Sequence, residues 1–350
     1  MTDIAIVGAG MAGASLAAAL APHASVLLLE AEARPGYHAT GRSAAFWSES
    51  YGGPLIQPLT TASGPFLAEQ GFLTPRGAIH LADAGGERAL DALAGEFTTV
   101  PMRPLDRAAL EAAIPGLRPG WERGLAEPSC ADIDVAALHA FYLRGIELVS
   151  DARLLRARRD AGRWRIETSA GEFEADVLVN AAGAWADEVA VRCGAAPLRI
   201  RPFRRTMAQL RIAPPAPPGL PLVVDASGRF YFKPEAGGRL WLSPHDETPC
   251  EAGDCAAEEL DVAVAIDRLA AVVDWRVERV EHKWAGLRSF AADRLPVYGF
   301  AEPGFFWCAG QGGFGIQTAP AAAALAAALL LGRAHELDPT PYLASRFGCA

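Results

Sequence analysis

Apolar and polar positions divide the chain into blocks of different period. Residues 3–30 open on an apolar run, Ile4-Ala5-Ile6-Val7, pass through a glycine-rich turn into an alanine-rich stretch, and close on Val26-Leu27-Leu28-Leu29. That order predicts strand, helix, strand. Helical segments follow to about Gln70, then a strand over residues 78–81 and a helix over 105–114 stopped by Pro115. Residues 134–146 read as a helix capped by Asp134. Segments 153–159 and 163–168 alternate arginine with apolar residues around Asp160-Ala161-Gly162, the pattern of a hairpin with one solvated face. Residues 172–179 lead into Asn180-Ala181-Ala182-Gly183, a buried strand ending in small residues that permit close backbone approach. Between 197 and 284 strands dominate, interrupted by Pro214-Pro215-Ala216-Pro217-Pro218 and a long helix over 256–273. The last segment returns to strand, glycine loop and alanine-rich helix.

The first block has a more specific meaning. Gly8-Ala9-Gly10-Met11-Ala12-Gly13 joins the first strand to the helix, and Glu30 ends the second strand about twenty residues later. Gly8 permits the tight turn, Gly10 lets a pyrophosphate approach the backbone, and Gly13 lets helix and strand pack closely. The helix N-terminus then offers N–H groups and partial positive charge to phosphates. Glu30 stands where a carboxylate can accept the hydroxyls of an adenosine ribose, and it would repel a 2′-phosphate. The block therefore predicts bound FAD or NAD and disfavours NADP.

Composition narrows the field. The 350 residues are enough for two domains around one cleft. A net charge of −9, with no basic run, disfavours nucleic acid as a partner. Cys130, Cys193, Cys250, Cys255, Cys308 and Cys349 form no CxxC and no zinc-like spacing with histidine, so reduced thiols and a cytoplasmic setting are expected. No signal peptide is expected ahead of the first strand, and the apolar stretch 319–331 is too short to span a bilayer.

A second glycine pattern, Gly310-Gln311-Gly312-Gly313-Phe314-Gly315, follows the apolar run Phe305-Phe306-Trp307-Cys308-Ala309. No further strand remains to deliver a ribose-binding acid. The pattern is expected to aim a helix N-terminus at the pyrimidine end of a flavin, where negative charge grows on reduction, which favours FAD over NAD. One nucleotide site also means that the substrate itself should reduce the flavin.

Five segments carry a family likeness: GAGMAG with Glu30, PGYHATGRSAA (35–45), VLVNAAGAWAD (177–187), WAGLRSF (284–290) and GGFGIQT (312–318). Together they resemble the D-amino acid oxidase/glycine oxidase superfamily, with the strongest likeness to bacterial FAD-dependent D-amino acid dehydrogenases, above all the D-arginine dehydrogenases. The resemblance implies non-covalent FAD and an α/β, Rossmann-like FAD-binding domain, discontinuous over residues 1–75, 130–195 and 285–350. A second, antiparallel-sheet substrate domain would take 76–129 and 196–284. It implies oxidation of an α-amino acid by hydride transfer from Cα to flavin N5, and the imino acid then hydrolyses to a 2-oxo acid and ammonia. By position it carries Arg288 and Tyr231 over as carboxylate-holding residues, and Arg205, Tyr51, Gly313 and Gln317 as substrate-pocket residues. Phe46, Ala78, Leu222 and Val224 complete the expected pocket. Gly8, Gly10, Met11, Ala12, Gly13, Glu30, Arg42, Ser43, Ala44, Ala182, Gly183, Gly312, Gly313, Gly315, Ile316 and Gln317 are expected at the cofactor, and no metal is expected.

The residue chemistry agrees with these roles. A guanidinium fork such as that of Arg288 can hold a carboxylate by two parallel bonds. Tyr231 can add a directional O–H. Tyr51, expected to follow a helix and preceding Gly52-Gly53, can cover a pocket on a glycine hinge, and of Arg204 and Arg205 the second is expected to face inward. His38, His80 and His245 are candidates for proton uptake, with none assigned. The arginine-using branch carries an acid where this chain has Ala78, a histidine where it has Phe46 and a tyrosine where it has Phe314, so apolar D-amino acids are expected as better substrates than D-arginine. Electrons would pass to a quinone-type acceptor. Alternatives are a glycine- or sarcosine-type oxidase making hydrogen peroxide, a 2-hydroxy acid dehydrogenase, and a flavin-binding protein without turnover.

Overall fold

The computed structural model describes residues 2–348, so Cys349 lies outside the described residues. The strands Thr2–Val7 and Val26–Leu29 pair in parallel, and Gly171–Asn180 lies on the other side of the first. Glu147–Val149 and Phe305–Ala309 extend the parallel run at either edge. The antiparallel hairpin Leu154–Asp160 and Arg163–Thr168 joins the same eight-stranded sheet through Gly171–Asn180, and Val297–Glu302 joins it through Phe305–Ala309. The central strands Thr2–Val7, Val26–Leu29 and Phe305–Ala309 are short and apolar because both faces are covered. On one face, Leu16, Ala17 and Leu20 of the helix Met11–Leu20 pack on Ile4, Ile6 and Leu28, with Leu325 and Ala326 of the helix Ala319–Leu330 in the same core. The small residues of the last helix allow that close helix–helix approach.

The strand Thr2–Val7 has the second strand on one side and a much later strand on the other. Ligands of open parallel sheets bind outside the carboxyl ends at such a switch point.

A second, nine-stranded sheet is built around the long antiparallel pair Arg201–Ala213 and Arg276–Phe290, in register from Arg201 opposite Phe290 to Ala213 opposite Arg276 with two bulges. The helix Glu259–Val272 covers its outer face with Val262, Ala265, Leu269 and Val272. The sheet is not wholly antiparallel: Leu222–Asp225 runs parallel to Ala78–Ala82. A further three-stranded sheet holds Phe46–Trp47, Ala131–Ile133 and Leu73–Pro75.

Several expected bounds move. The helix expected over 105–114 spans Arg107–Ala113, because Leu105 belongs to a strand and Asp106 caps the helix through Ala109 N. The helix expected over 134–146 ends at Tyr142, with Asp134 capping Ala137 N as expected. The strand Arg276–Phe290 runs unbroken through residue 284, where a domain boundary was expected. Tyr51 follows the short strand Phe46–Trp47 and a turn, not a helix. Among the described residues no helix is long and apolar enough to cross a membrane.

Candidate active site

One cleft runs along the carboxyl end of the parallel sheet and opens toward the second sheet. Part of its lining is Gly8, Gly10, Met11, Ala12 and Glu30, and another part is Arg205, Tyr231 and Arg288, with Gly312, Gly313 and Gly315 between the sheets.

The glycine turn is shaped by contact. A Cβ on Gly13 would lie 1.9 Å from the Gly8 carbonyl oxygen, so only glycine lets the helix sit there, and Gly8 itself has φ +103°. Gly13 thus acts from behind the cleft surface. A Cβ on Gly10 would meet only the Thr40 hydroxyl at 3.4 Å, which leaves the approach from the cleft open. Glu30 Oε2 accepts from Ala9 N at 2.8 Å and Oε1 from Glu32 N at 3.0 Å, so each oxygen keeps acceptor capacity. Thr40 accepts from Met11 N at 2.9 Å, and buried His139 donates from Nε2 to the Ala9 carbonyl at 2.8 Å. Burial lowers His139 from its ordinary value, which keeps it neutral. Thr40 lies within the quoted PGYHATGRSAA segment. His139 carries no sequence signal, because its partner is 130 residues away.

These features fit FAD: an open backbone approach at Gly10, an acid at the second strand end, and a cleft long enough to reach the second sheet. Ser43, Ala44, Ala182, Gly183 and Ile316 also line it. Arg42 also lines it, but its guanidinium is engaged with Asp254 at 2.5 Å and with the Cys255 and Ala285 carbonyls at 3.3 Å. The second glycine pattern behaves differently from expectation. The helix begins only at Ala319, and Ala321 N donates to the buried Ser63 hydroxyl, so the loop backbone faces the cleft and the helix N-terminus does not. Gln317 is also turned away: its amide nitrogen donates to the Tyr51 carbonyl and the Thr60 hydroxyl, and its oxygen accepts from Ser48 N.

At the other end Arg205 and Arg288 sit on neighbouring strands of the long pair. Arg288 Nη1 donates to the Tyr51 hydroxyl at 2.7 Å. Arg205 donates from Nε to the Asp246 carbonyl at 2.7 Å and from Nη2 to Glu247 at 3.1 Å, while buried Nη1 has no protein partner. Burial, and then the charge of Arg288, pull Arg205 below its ordinary value. Burial also opposes the charge of Arg288, but Tyr51, Tyr231 and Glu247 outweigh it and hold Arg288 up. Both guanidinium groups remain charged at neutral pH. Glu247 is shared with Arg294, at 2.8 Å, so the cleft end retains positive charge that an anion would neutralise. Arg204 points the other way, to Asp261 at 2.8 Å and to Glu258.

Tyr231 lines the cleft and donates its hydroxyl to Met207 Sδ at 3.0 Å, a weak acceptor easily exchanged for an anion. Phe46 and Phe314 flank Tyr51 with ring centroids at 5.2 and 5.3 Å. Ala78 and Leu222 are register partners buried in one apolar cluster with Tyr231, and Val224 packs against it. Ala78, Leu222 and Val224 therefore form a layer behind the cleft lining instead of its surface. A Cβ on Gly313 would lie 2.7 Å from the Tyr51 hydroxyl and 3.1 Å from Arg288 Nη1, so a side chain there would push on the ends of both residues.

A feature with no sequence signal lies beneath Tyr51. Fully buried Glu127 accepts from the hydroxyls of Ser48 and Ser50 at 3.0 and 2.6 Å, from Glu49 N at 2.8 Å and from His80 Nε2 at 3.0 Å. Burial raises its carboxyl, but His80 and the serine hydroxyls outweigh this and lower it, so it is ionised. It ties the turn that carries Tyr51 to the second sheet. Of the other histidines, His38 pairs with Glu32 at 2.9 Å. His245 donates from Nδ1 to the Gly228 carbonyl and stands edge-on to Tyr231 at 5.6 Å. Burial, then Arg205 and Arg288, push His245 down to about 2, so it is neutral beside the cleft.

Comparisons with known proteins place this geometry. A profile of the DAO family, described as FAD dependent oxidoreductase, matches residues 3–329. Glycine oxidase of Pseudomonas aeruginosa is 30% identical over 259 residues, covering 69% of this chain and 68% of that protein. Glycine oxidase of Geobacillus kaustophilus is 27% identical, covering 98% of this chain and 97% of that protein. The crystal structure of glycine oxidase from Geobacillus kaustophilus superposes with a TM-score of 0.86 at 26% identity, covering 99% of this chain and 98% of that one. The named relatives are thus glycine oxidases, which corrects the expected likeness to D-arginine dehydrogenases. With FAD as its cofactor, the chain belongs to the DAO family of FAD-dependent oxidoreductases.

Proposed function

We propose that this protein oxidises the C–N bond of a small amino acid, glycine or an N-substituted glycine, and returns the electrons to oxygen as hydrogen peroxide. The reading rests on one observation above the rest: two charged guanidinium groups, one with an unpartnered buried N–H group, converge at the end of a cofactor cleft whose other end is a dinucleotide turn. The glycine oxidase relatives supply the substrate size.

FAD, when bound, supplies the two-electron acceptor. The protein's own task is to present the substrate. Arg288 takes the carboxylate, Arg205 Nη1 adds a second charged donor, and Tyr231 turns its hydroxyl from Met207 to the same anion. Fixing the carboxylate fixes Cα relative to the glycine loop, which converts binding energy into orientation. Tyr51, wedged between Phe46 and Phe314, closes the guanidinium off from water and strengthens its hold on the anion.

A second reading, a dehydrogenase of apolar D-amino acids passing electrons to a quinone-type acceptor, draws support from the apolar layer of Ala78, Leu222 and Val224. Anaerobic mixing of the flavin-loaded protein with glycine, sarcosine, D-leucine, D-phenylalanine and D-arginine, followed by loss of the oxidised flavin band, separates the two. Glycine or sarcosine should bleach fastest and, in air, yield one peroxide per substrate. Fast bleaching by D-leucine or D-phenylalanine, with none by glycine or sarcosine, favours the second reading.

A further inference from the structure

Residues 250–258 join the short strand Thr248–Pro249 to the helix Glu259–Val272 and lie against the outer wall of the cofactor cleft. Asp254 accepts from the Tyr37 hydroxyl at 2.9 Å and pairs with Arg42 Nη2 at 2.5 Å, and the Cys255 carbonyl accepts from Arg42 Nη1 at 3.3 Å. Arg42 also lies 5.0 Å from the centre of the Tyr37 ring, and both residues line the cleft. The loop thus braces the cofactor wall through Asp254 and the Cys255 carbonyl.

Two thiols bracket that aspartate. Cys250 Sγ and Cys255 Sγ stand 3.5 Å apart, both half-buried and both free, whereas Cys130, Cys193 and Cys308 are buried. The sulfurs already face each other, and about 1.5 Å of closure brings them to bonding distance.

We propose that Cys250 and Cys255 form an oxidative modification site, at which a peroxide links them in an intramolecular disulfide that fastens Asp254 against Arg42 and Tyr37. One thiolate attacks the peroxide, its O–O bond breaks, and a sulfenic acid forms while the departing hydroxide takes up a proton as water. The neighbouring sulfur then attacks the sulfenic sulfur, an S–S bond replaces the S–O bond, and a second water leaves. Two thiols give up two electrons and two protons, and the peroxide receives both. Closing the loop removes conformations in which Asp254 swings off the wall, so the cofactor leaves more slowly.

The experiment needs no substrate. Flavin-loaded protein is reduced, desalted, exposed to hydrogen peroxide, alkylated, digested and mapped by mass. The expected product is a peptide joining Cys250 to Cys255, lighter by about 2 Da than the dithiol and restored by reductant. Recovery of both cysteines alkylated, or only as sulfinic and sulfonic acids, overturns the site. Flavin release after dilution, followed by its fluorescence, should be several-fold slower in the oxidised protein, with no such difference in Cys250→Ser/Cys255→Ser. Equal release rates overturn the fastening. Should the double variant lose flavin or fold, Cys255→Ala carries the same expectation.

Discussion

The two ends of the cleft are built by different means. At the dinucleotide end the work is done by backbone: a turn, a helix start and one strand-end acid, all within the first 30 residues. At the cationic end it is done by side chains from distant places: Arg205, Tyr231 and Arg288 line the cleft, and Tyr51 is held on Arg288. Backbone approach demands glycine at fixed spacing, because a Cβ at Gly8 or Gly13 collides with the surrounding backbone. Side-chain recognition tolerates many arrangements, so the chain prescribes the first end far more tightly than the second.

The contrast should break most sharply at Gly13. Gly13→Ala puts a methyl group into the Gly8 carbonyl, and the variant should lose flavin and fold stability together, as read by the flavin band of purified protein and its melting temperature. Protein of full flavin content would show that the backbone end yields as readily as the side-chain end. Arg288→Ala should instead keep the flavin and the melting curve while kcat/KM falls about a thousandfold, the loss of a roughly 4 kcal/mol charged contact. Unchanged kcat/KM would remove Arg288 from substrate binding.

Glu127→Gln should have a smaller effect of a third kind. The buried carboxylate loses part of its donor set, so stability at neutral pH should fall by about 3 kcal/mol, and KM should rise as the turn bearing Tyr51 loosens. Because its folded value is lowered, Glu127 stabilises the native state fully above its unfolded value and loses that contribution as pH falls through the folded one. Denaturant melts between pH 7 and pH 3 should therefore show part of the wild-type acid limb missing in Glu127→Gln. Parallel curves would show that the carboxylate is not the hub of this turn.

What was legible in the sequence follows the same division. The βαβ unit, the arginine hairpin and the Asp134 cap are local patterns, and each stands where periodicity puts it. The inward-facing member of the Arg204–Arg205 pair was legible through family likeness. The second glycine pattern misled because a GxGxxG spelling does not say where the helix begins. Here nine residues of loop and turn separate the strand end at Ala309 from Ala319. Gln317 misled for a related reason: a polar residue beside a glycine loop has acceptors within the fold, and Tyr51 and Thr60 claim it. The Glu127 hub was invisible, since its serine partners are 77 and 79 residues away and a buried carboxylate has the same letter as a solvated one.

The long pair Arg201–Ala213 and Arg276–Phe290 carries both cationic side chains, while Phe46, Ala78, Leu222 and Val224 belong to other strands. The two cationic anchors and the apolar layer behind the cleft thus stand on different strands. On the proposed reading, substitutions in the layer of Ala78, Leu222 and Val224 would reshape the pocket through Tyr231, their neighbour in the cluster, and leave the two guanidinium anchors in place, a lever for laboratory selection of new amine specificities.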